Sequence, residues 1–123
     1  MARSQFRSKK TITGKKYLNV RKKRQCELSG LFAETHIGGK RIKVKRVRGG
    51  NIKTAVLSQD EIIVNNKGKT EKLKILGVNE NPANVNYTRR NIITKGAIVK
   101  TDKGNVKITS RPGQTGTLFG ILI

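Results

Sequence analysis

Lys40-Arg41-Ile42-Lys43-Val44-Lys45 alternates basic and aliphatic side chains residue by residue. That is the period-two signature of a strand with one face on a core. The parity then slips, because Ile42 and Val44 are even-numbered while Val47 is odd. A bulge near Lys45-Arg46 would hold all three aliphatics on the core face. Downstream, Ile52 to Leu57, Glu61 to Val64, Leu73 to Val78, Ile92 to Lys100, Asn105 to Thr109 and Leu118 to Ile123 are further short apolar or alternating runs. Asn65-Asn66-Lys67-Gly68-Lys69 and Thr101-Asp102-Lys103-Gly104 separate neighbouring runs with turn chemistry, since Asn and Gly accept positive φ. Leu73-Lys74-Ile75-Leu76-Gly77-Val78 slips parity beside its glycine, which marks a second bulge. One short helix is predicted over Pro82 to Arg90, with Asn81 as N-cap and Pro82 in the first position. Many short strands, two bulges and regular turns predict an all-β fold. Its form is a small bulged β-barrel of short, mostly antiparallel strands, whose closure leaves no exposed edges.

Upstream of this core the composition changes. Residues 1–24 carry ten bases (Arg3, Arg7, Lys9, Lys10, Lys15, Lys16, Arg21, Lys22, Lys23, Arg24) and no acid. Seven apolar residues without a sustained period cannot offset the chain entropy of folding. The stretch therefore reads as an extended basic N-terminal arm, disordered on its own, followed by a transitional segment near 25–40. A total of 123 residues suits one ordinary domain or a smaller domain with an appendage. The expected division is an arm over 1–39 and a barrel over 40–123.

The chain holds 28 Lys and Arg against 7 Asp and Glu, a net charge of +21. Self-repulsion on this scale destabilises a compact state unless a polyanion neutralises it, and clustered bases are the footprint of a nucleic-acid binder. Other classes are excluded. Apolar runs of a few residues cannot cross a bilayer as a helix, and no hydrophobic stretch follows the N-terminus as a secretory signal would require. The single cysteine, Cys26, cannot form an internal disulfide, which suits a reducing cytosol. With the single histidine, His36, it cannot complete a zinc finger, so neither metal nor cofactor is expected. Asp60 and Glu61 are adjacent and would point to opposite faces of a strand, which rules them out as a converging metal pair. No catalytic constellation, small-molecule substrate or membrane role is supported. Aromatic content of 4% is low for a protein that grips bases mainly by stacking.

Phosphate binding is the remaining chemistry. On the strand, Arg41, Lys43 and Lys45 would share a face and repeat about every 6.5 Å, close to phosphate spacing. Lys40, Arg46, Arg48, Asn51 and Lys53 extend the same basic region. The alternative is a solvated face, the commoner fate of charge runs. Gly38-Gly39 and Gly49-Gly50 bracket the strand, where they bare their N–H groups to phosphate, serve as tight turns, or do both. Tyr87-Thr88-Arg89-Arg90-Asn91 places an aromatic ring, two guanidiniums and an amide together. Arg forks grip phosphate and stack, while Tyr and Asn add stacking and edge hydrogen bonds; the alternative is a capped helix with Tyr87 in the core. Lys95 and Arg111 complete the candidates. His36 fits a hydrogen-bonding contact or a satisfied structural histidine.

Several segments together resemble one family. They are Glu34-Thr35-His36-Ile37-Gly38-Gly39, Val47-Arg48-Gly49-Gly50-Asn51, Glu80-Asn81-Pro82-Ala83-Asn84, Arg89-Arg90-Asn91-Ile92-Ile93-Thr94-Lys95-Gly96-Ala97 and Thr109-Ser110-Arg111-Pro112-Gly113-Gln114. The chain resembles the archaeal and eukaryotic small-subunit ribosomal protein number eight, the "e" type, in its short archaeal-like form. Thr13-Gly14-Lys15 matches that family's [ST]-G step, and the resemblance runs in order over nearly the whole chain. It implies a cytoplasmic structural constituent of the small ribosomal subunit, with a β-barrel core and an arm embedded in rRNA among neighbouring small-subunit proteins. Many members carry a tryptophan near the start, where this chain has Ser4-Gln5-Phe6. A large-subunit biogenesis factor sharing the barrel would be longer, with a helical N-terminal region. A small basic chromatin-architectural protein would bind duplex DNA at least as well as structured RNA.

Overall fold

The computed structural model describes residues 8–18, 21–28, 30–66 and 68–123. The chain divides into two compact units, Met1–Phe32 and Ala33–Ile123. Thr35 and His36, which pair as a strand with two others, belong to the second unit.

In the second unit the strands are β1 (Thr35–His36), β2 (Arg41–Arg46), β3 (Ile52–Ser58), β4 (Glu61–Asn66), β5 (Lys69–Glu80), β6 (Ile92–Ile93), β7 (Ile98–Thr101), β8 (Gly104–Ile108) and β9 (Phe119–Leu122). They form a four-stranded sheet in the order β2-β3-β1-β6 and a closed barrel in the order β4-β5-β7-β8-β9. Pairing is antiparallel except for β1 with β3 and for β4 with β9, the pairing that closes the barrel.

Alternation builds the barrel interior. Ile62 and Val64 of β4, Leu73 and Ile75 of β5, Val99 of β7, and Val106 and Ile108 of β8 turn inward beside Leu118. After Ile75 the inward parity passes to Val78, and the register shifts there between Ile75 and Gly77. This is the bulge that the parity slip predicted. Gly120 of β9 lets two strands and the core approach closely. A Cβ built on it would strike Val106 Cγ1 and stand 2.9 Å from Ile62 Cδ1 and 3.0 Å from the Lys107 carbonyl oxygen.

Four local expectations are corrected. The basic strand β2 is not a barrel stave but the edge of the four-stranded sheet, and all six of its residues are exposed. Ile42 and Val44 are 40% and 62% exposed, because an edge strand with one neighbour leaves its aliphatic face largely uncovered. The bulge lies between Arg41 and Ile42 instead of near Lys45-Arg46; β2 ends at Arg46, so the odd parity of Val47 needs no bulge. The helix is shorter than predicted. It runs from Val85 to Arg89 with Asn84 as the N-cap, accepting from the Asn86 N–H at 2.9 Å. Asn81 is buried instead and ties the region together. Its Oδ1 accepts from the Ala83 N–H (3.1 Å) and the Thr94 hydroxyl (2.9 Å), and its Nδ2 donates to the Ile92 carbonyl (3.1 Å). The predicted run Ile92 to Lys100 splits into β6 and β7 at a turn where Gly96 sits at φ +85°.

Candidate nucleic-acid interface

Within the arm, residues 9–17 form a small hairpin that the lack of hydrophobic period did not foretell. Lys10 bridges Lys16 in antiparallel register. The Thr11 N–H donates to the Lys15 carbonyl (2.8 Å) and the Gly14 N–H to the Thr11 carbonyl (3.0 Å). Gly14 turns the chain at φ +81°, a conformation open to glycine at little cost. The Thr11 hydroxyl adds contacts to the Thr13 hydroxyl (2.9 Å) and the Lys15 carbonyl (3.2 Å). Lys9, Lys10, Lys15 and Lys16 are all exposed on this hairpin. The signal that could have found it was Thr-Gly between two lysine pairs.

Further along, Arg21 is held by Glu27, with Nη1 3.2 Å from Oε2 and Nη2 on Oε1. The hydrogen bond to Arg21 holds the Glu27 carboxyl below its ordinary range, and the Arg21 pKa is raised in turn, again first by that bond. Glu27 closes a single 3-10 turn over Gln25–Glu27, with the Arg24 N–H donating to Oε2 at 3.2 Å. Lys22, Lys23 and Arg24 are exposed. Arg3 and Arg7 lie outside the described residues.

In the second unit, β2 and β3 make a ribbon with six bases and no acid between Arg41 and Ser58. Directly opposed residues of an antiparallel pair share a face. Lys45 therefore faces Lys53 across the ribbon, and Lys43, opposite Ala55, lies on the same side. The register shift sets Arg41 apart from this row, aligned with Ser58, which in turn aligns with His36. Like charges directly opposite destabilise a ladder, so a face of this kind suits an anion laid along it. At the tip, the Val47 N–H donates to the Asn51 carbonyl at 2.8 Å, and Gly49 and Gly50 both adopt positive φ, +75° and +74°. The second glycine pair thus does form a tight turn. It carries Arg48, exposed, and Asn51, whose Nδ2 donates to the Arg48 carbonyl at 3.4 Å. Lys40 is exposed just before β2.

A third cluster gathers at β1 and the end of the helix α1 (Val85–Arg89). Arg90 Nη2 donates to Glu34 Oε2 at 2.6 Å, and His36 Nε2 lies 3.8 Å from the same oxygen. Sequence reasoning did not anticipate Glu34, because 56 residues separate it from Arg90. Asn91 takes a left-handed conformation at φ +51°, and its Oδ1 accepts from the Val78 N–H at 3.3 Å, tying the segment to the bulge in β5. Arg89 and Lys95 are exposed, and Tyr87 is half-buried. Arg111 is exposed on a loop that docks through its neighbour, the Pro112 carbonyl, which accepts from the Val56 N–H at 2.8 Å.

Other bases lie on the barrel exterior. Lys72 and Lys74 alternate with Leu73 and Ile75, the same pattern as β2, but acids accompany them. Glu61 faces Lys74 across the ladder, and Lys103 Nζ meets Glu71 Oε2 at 2.6 Å. The ribbon between Arg41 and Ser58, by contrast, holds six bases and no acid. Among the described residues no group of three His, Cys, Asp or Glu side chains could hold a metal, and no helix is long and apolar enough to cross a membrane. The arrangement offers rows of Lys and Arg and glycine turns, which is chemistry for binding phosphate.

Comparison with known proteins agrees on one family. The model of the family described as "Ribosomal protein S8e" matches residues 4–123. A protein of Methanobrevibacter smithii named small ribosomal subunit protein eS8 is 49% identical over 125 residues, covering the whole of both chains. Proteins of the same name from Nanoarchaeum equitans and Methanospirillum hungatei JF-1 are 48% and 46% identical. The alignments cover 97% of this chain in both cases, and 95% and 97% of those proteins respectively.

Proposed function

The chain belongs to the ribosomal protein S8e family, and from that premise we propose that it is a structural constituent of the small ribosomal subunit that binds and stabilises small-subunit rRNA. A ribosomal structural role fits a chain whose relatives carry that name and whose family is not one of enzymes. The grip is by phosphate contacts from the basic arm, from the ribbon of β2 and β3, and from the end of α1 and the loops that bear Arg89, Arg90, Lys95 and Arg111. His36, Tyr87 and Asn91 border the last of these surfaces. The observation that carries the reading is the ribbon face, where Lys43, Lys45 and Lys53 stand together with Lys45 directly against Lys53. A fold keeps such repulsion where an anion offsets it. Neighbouring small-subunit proteins would surround it on the assembled particle in the cytoplasm.

Sedimentation through a sucrose gradient tests the reading. The native protein is expected to travel with small subunits in stoichiometric amount and to stay there in high salt. Deleting residues 2–24 should spare the barrel yet abolish stable assembly. Free migration of the full-length protein away from subunits would refute it.

A further inference from the structure

We propose that the hairpin at residues 9–17 is an RNA wedge, in which Ile12 packs against the face of an unstacked nucleobase of small-subunit rRNA while the lysines on either side hold the flanking phosphates. The proposal rests on the rRNA-binding reading above and adds an apolar contact to it. Ile12 is fully exposed, at 107%, the most exposed large hydrophobic side chain among the described residues. It stands at the apex of a loop closed by two backbone hydrogen bonds and braced by the Thr11 hydroxyl. A second pairing, from the Tyr17 N–H to the Lys9 carbonyl at 3.4 Å, extends the hairpin towards its base.

Two features select RNA as the occupant. Lys9, Lys10, Lys15 and Lys16 flank the apex, and the sequence has no acid before Glu27. An apolar pocket on a protein would leave those four charges to one another, whereas a strand of RNA sets phosphates beside each exposed base. The hairpin's own pairing is also weak. A two-stranded hairpin is marginal in water, and here Lys10 lies opposite Lys16. Phosphate contact relieves that opposition, and apolar side chains, Ile among them, are inserted between bases by proteins that bind the minor groove of DNA.

The test compares the full-length protein with Ile12→Ser and Ile12→Leu for binding to protein-free small-subunit rRNA. Base reactivity to dimethyl sulfate is read on the same complexes. Ile12→Ser should bind about ten- to a hundredfold more weakly, the worth of burying one such side chain. Its salt dependence should be unchanged, because no phosphate contact is lost. Ile12→Leu should bind like the wild type. Protection of one or two bases should disappear in the serine variant alone. A photo-crosslinker at position 12 in assembled subunits should join to a nucleotide. Equal affinity of the serine variant, or a crosslink into a protein, overturns the wedge and leaves rRNA binding standing. Failure of the wild-type protein to bind the rRNA removes the parent reading and the wedge with it.

Discussion

Replacing Lys43, Lys45 and Lys53 together with Gln should raise stability and lower rRNA affinity in the same variant. The two effects have one cause. In the free protein Lys45 faces Lys53 with no acid anywhere on the ribbon. Removing a directly opposed like-charge pair relieves about 0.2–1 kcal/mol, towards the lower end because all three side chains are exposed and screened by salt. For a unit of this size that is a rise in Tm of about one to a few degrees. On RNA the same lysines release counterions at about 0.7–0.9 of a unit of salt slope each, so the triple variant should lose about two to three units. Raising salt from 50 to 200 mM would then cost the variant about twenty- to fortyfold less affinity than it costs the wild type. Fluorescence anisotropy on protein-free small-subunit rRNA at several KCl concentrations gives the slope, and thermal denaturation gives the Tm. An unchanged slope with a lowered Tm would refute the reasoning and make the lysines part of the scaffold.

Other consequences are equally direct. Gly120→Ala should destabilise the barrel by about 1–3 kcal/mol in urea denaturation, because the added methyl meets Val106, Ile62 and the rigid Lys107 carbonyl at once. Glu34→Gln breaks the ion pair with Arg90, which is half exposed. It should cost less than about 1 kcal/mol of stability while tightening rRNA binding, since a guanidinium is released and a negative charge removed. Glu27 is held below its ordinary pKa of 4.5 by Arg21. Its stabilising effect on the Gln25–Glu27 turn is therefore present above that value and is lost as pH falls through the lowered one. The Glu27 and Leu28 amide signals, whose hydrogen bonds close the turn, should shift there in NMR spectra, and Glu27→Gln should abolish that shift.

Local chemistry made much of this protein legible in its sequence. Alternation at Ile62 and Val64, the parity slip at Gly77 and the turn residues before Lys69 are set by neighbours along the chain, so strands, bulge and hairpin could be read in order. The basic arm and the family resemblance are likewise properties of the linear sequence. What alternation cannot reveal is which sheet a strand joins or whether its aliphatic side is covered. The pattern in β2 is that of a half-buried strand, yet Ile42 and Val44 stand exposed on a sheet edge because only β3 pairs with them. Asn81 looked like a helix cap because Pro82 follows it, while its real partners include Ile92 and Thr94, more than ten residues on. Glu34 met Arg90, and Lys45 met Lys53, through pairing and packing that bring distant segments together. Composition determined that the chain should seek a polyanion. Only the tertiary structure decided where positive charge remains unanswered, because ion pairing depends on distance in space, and spacing along the chain does not specify it.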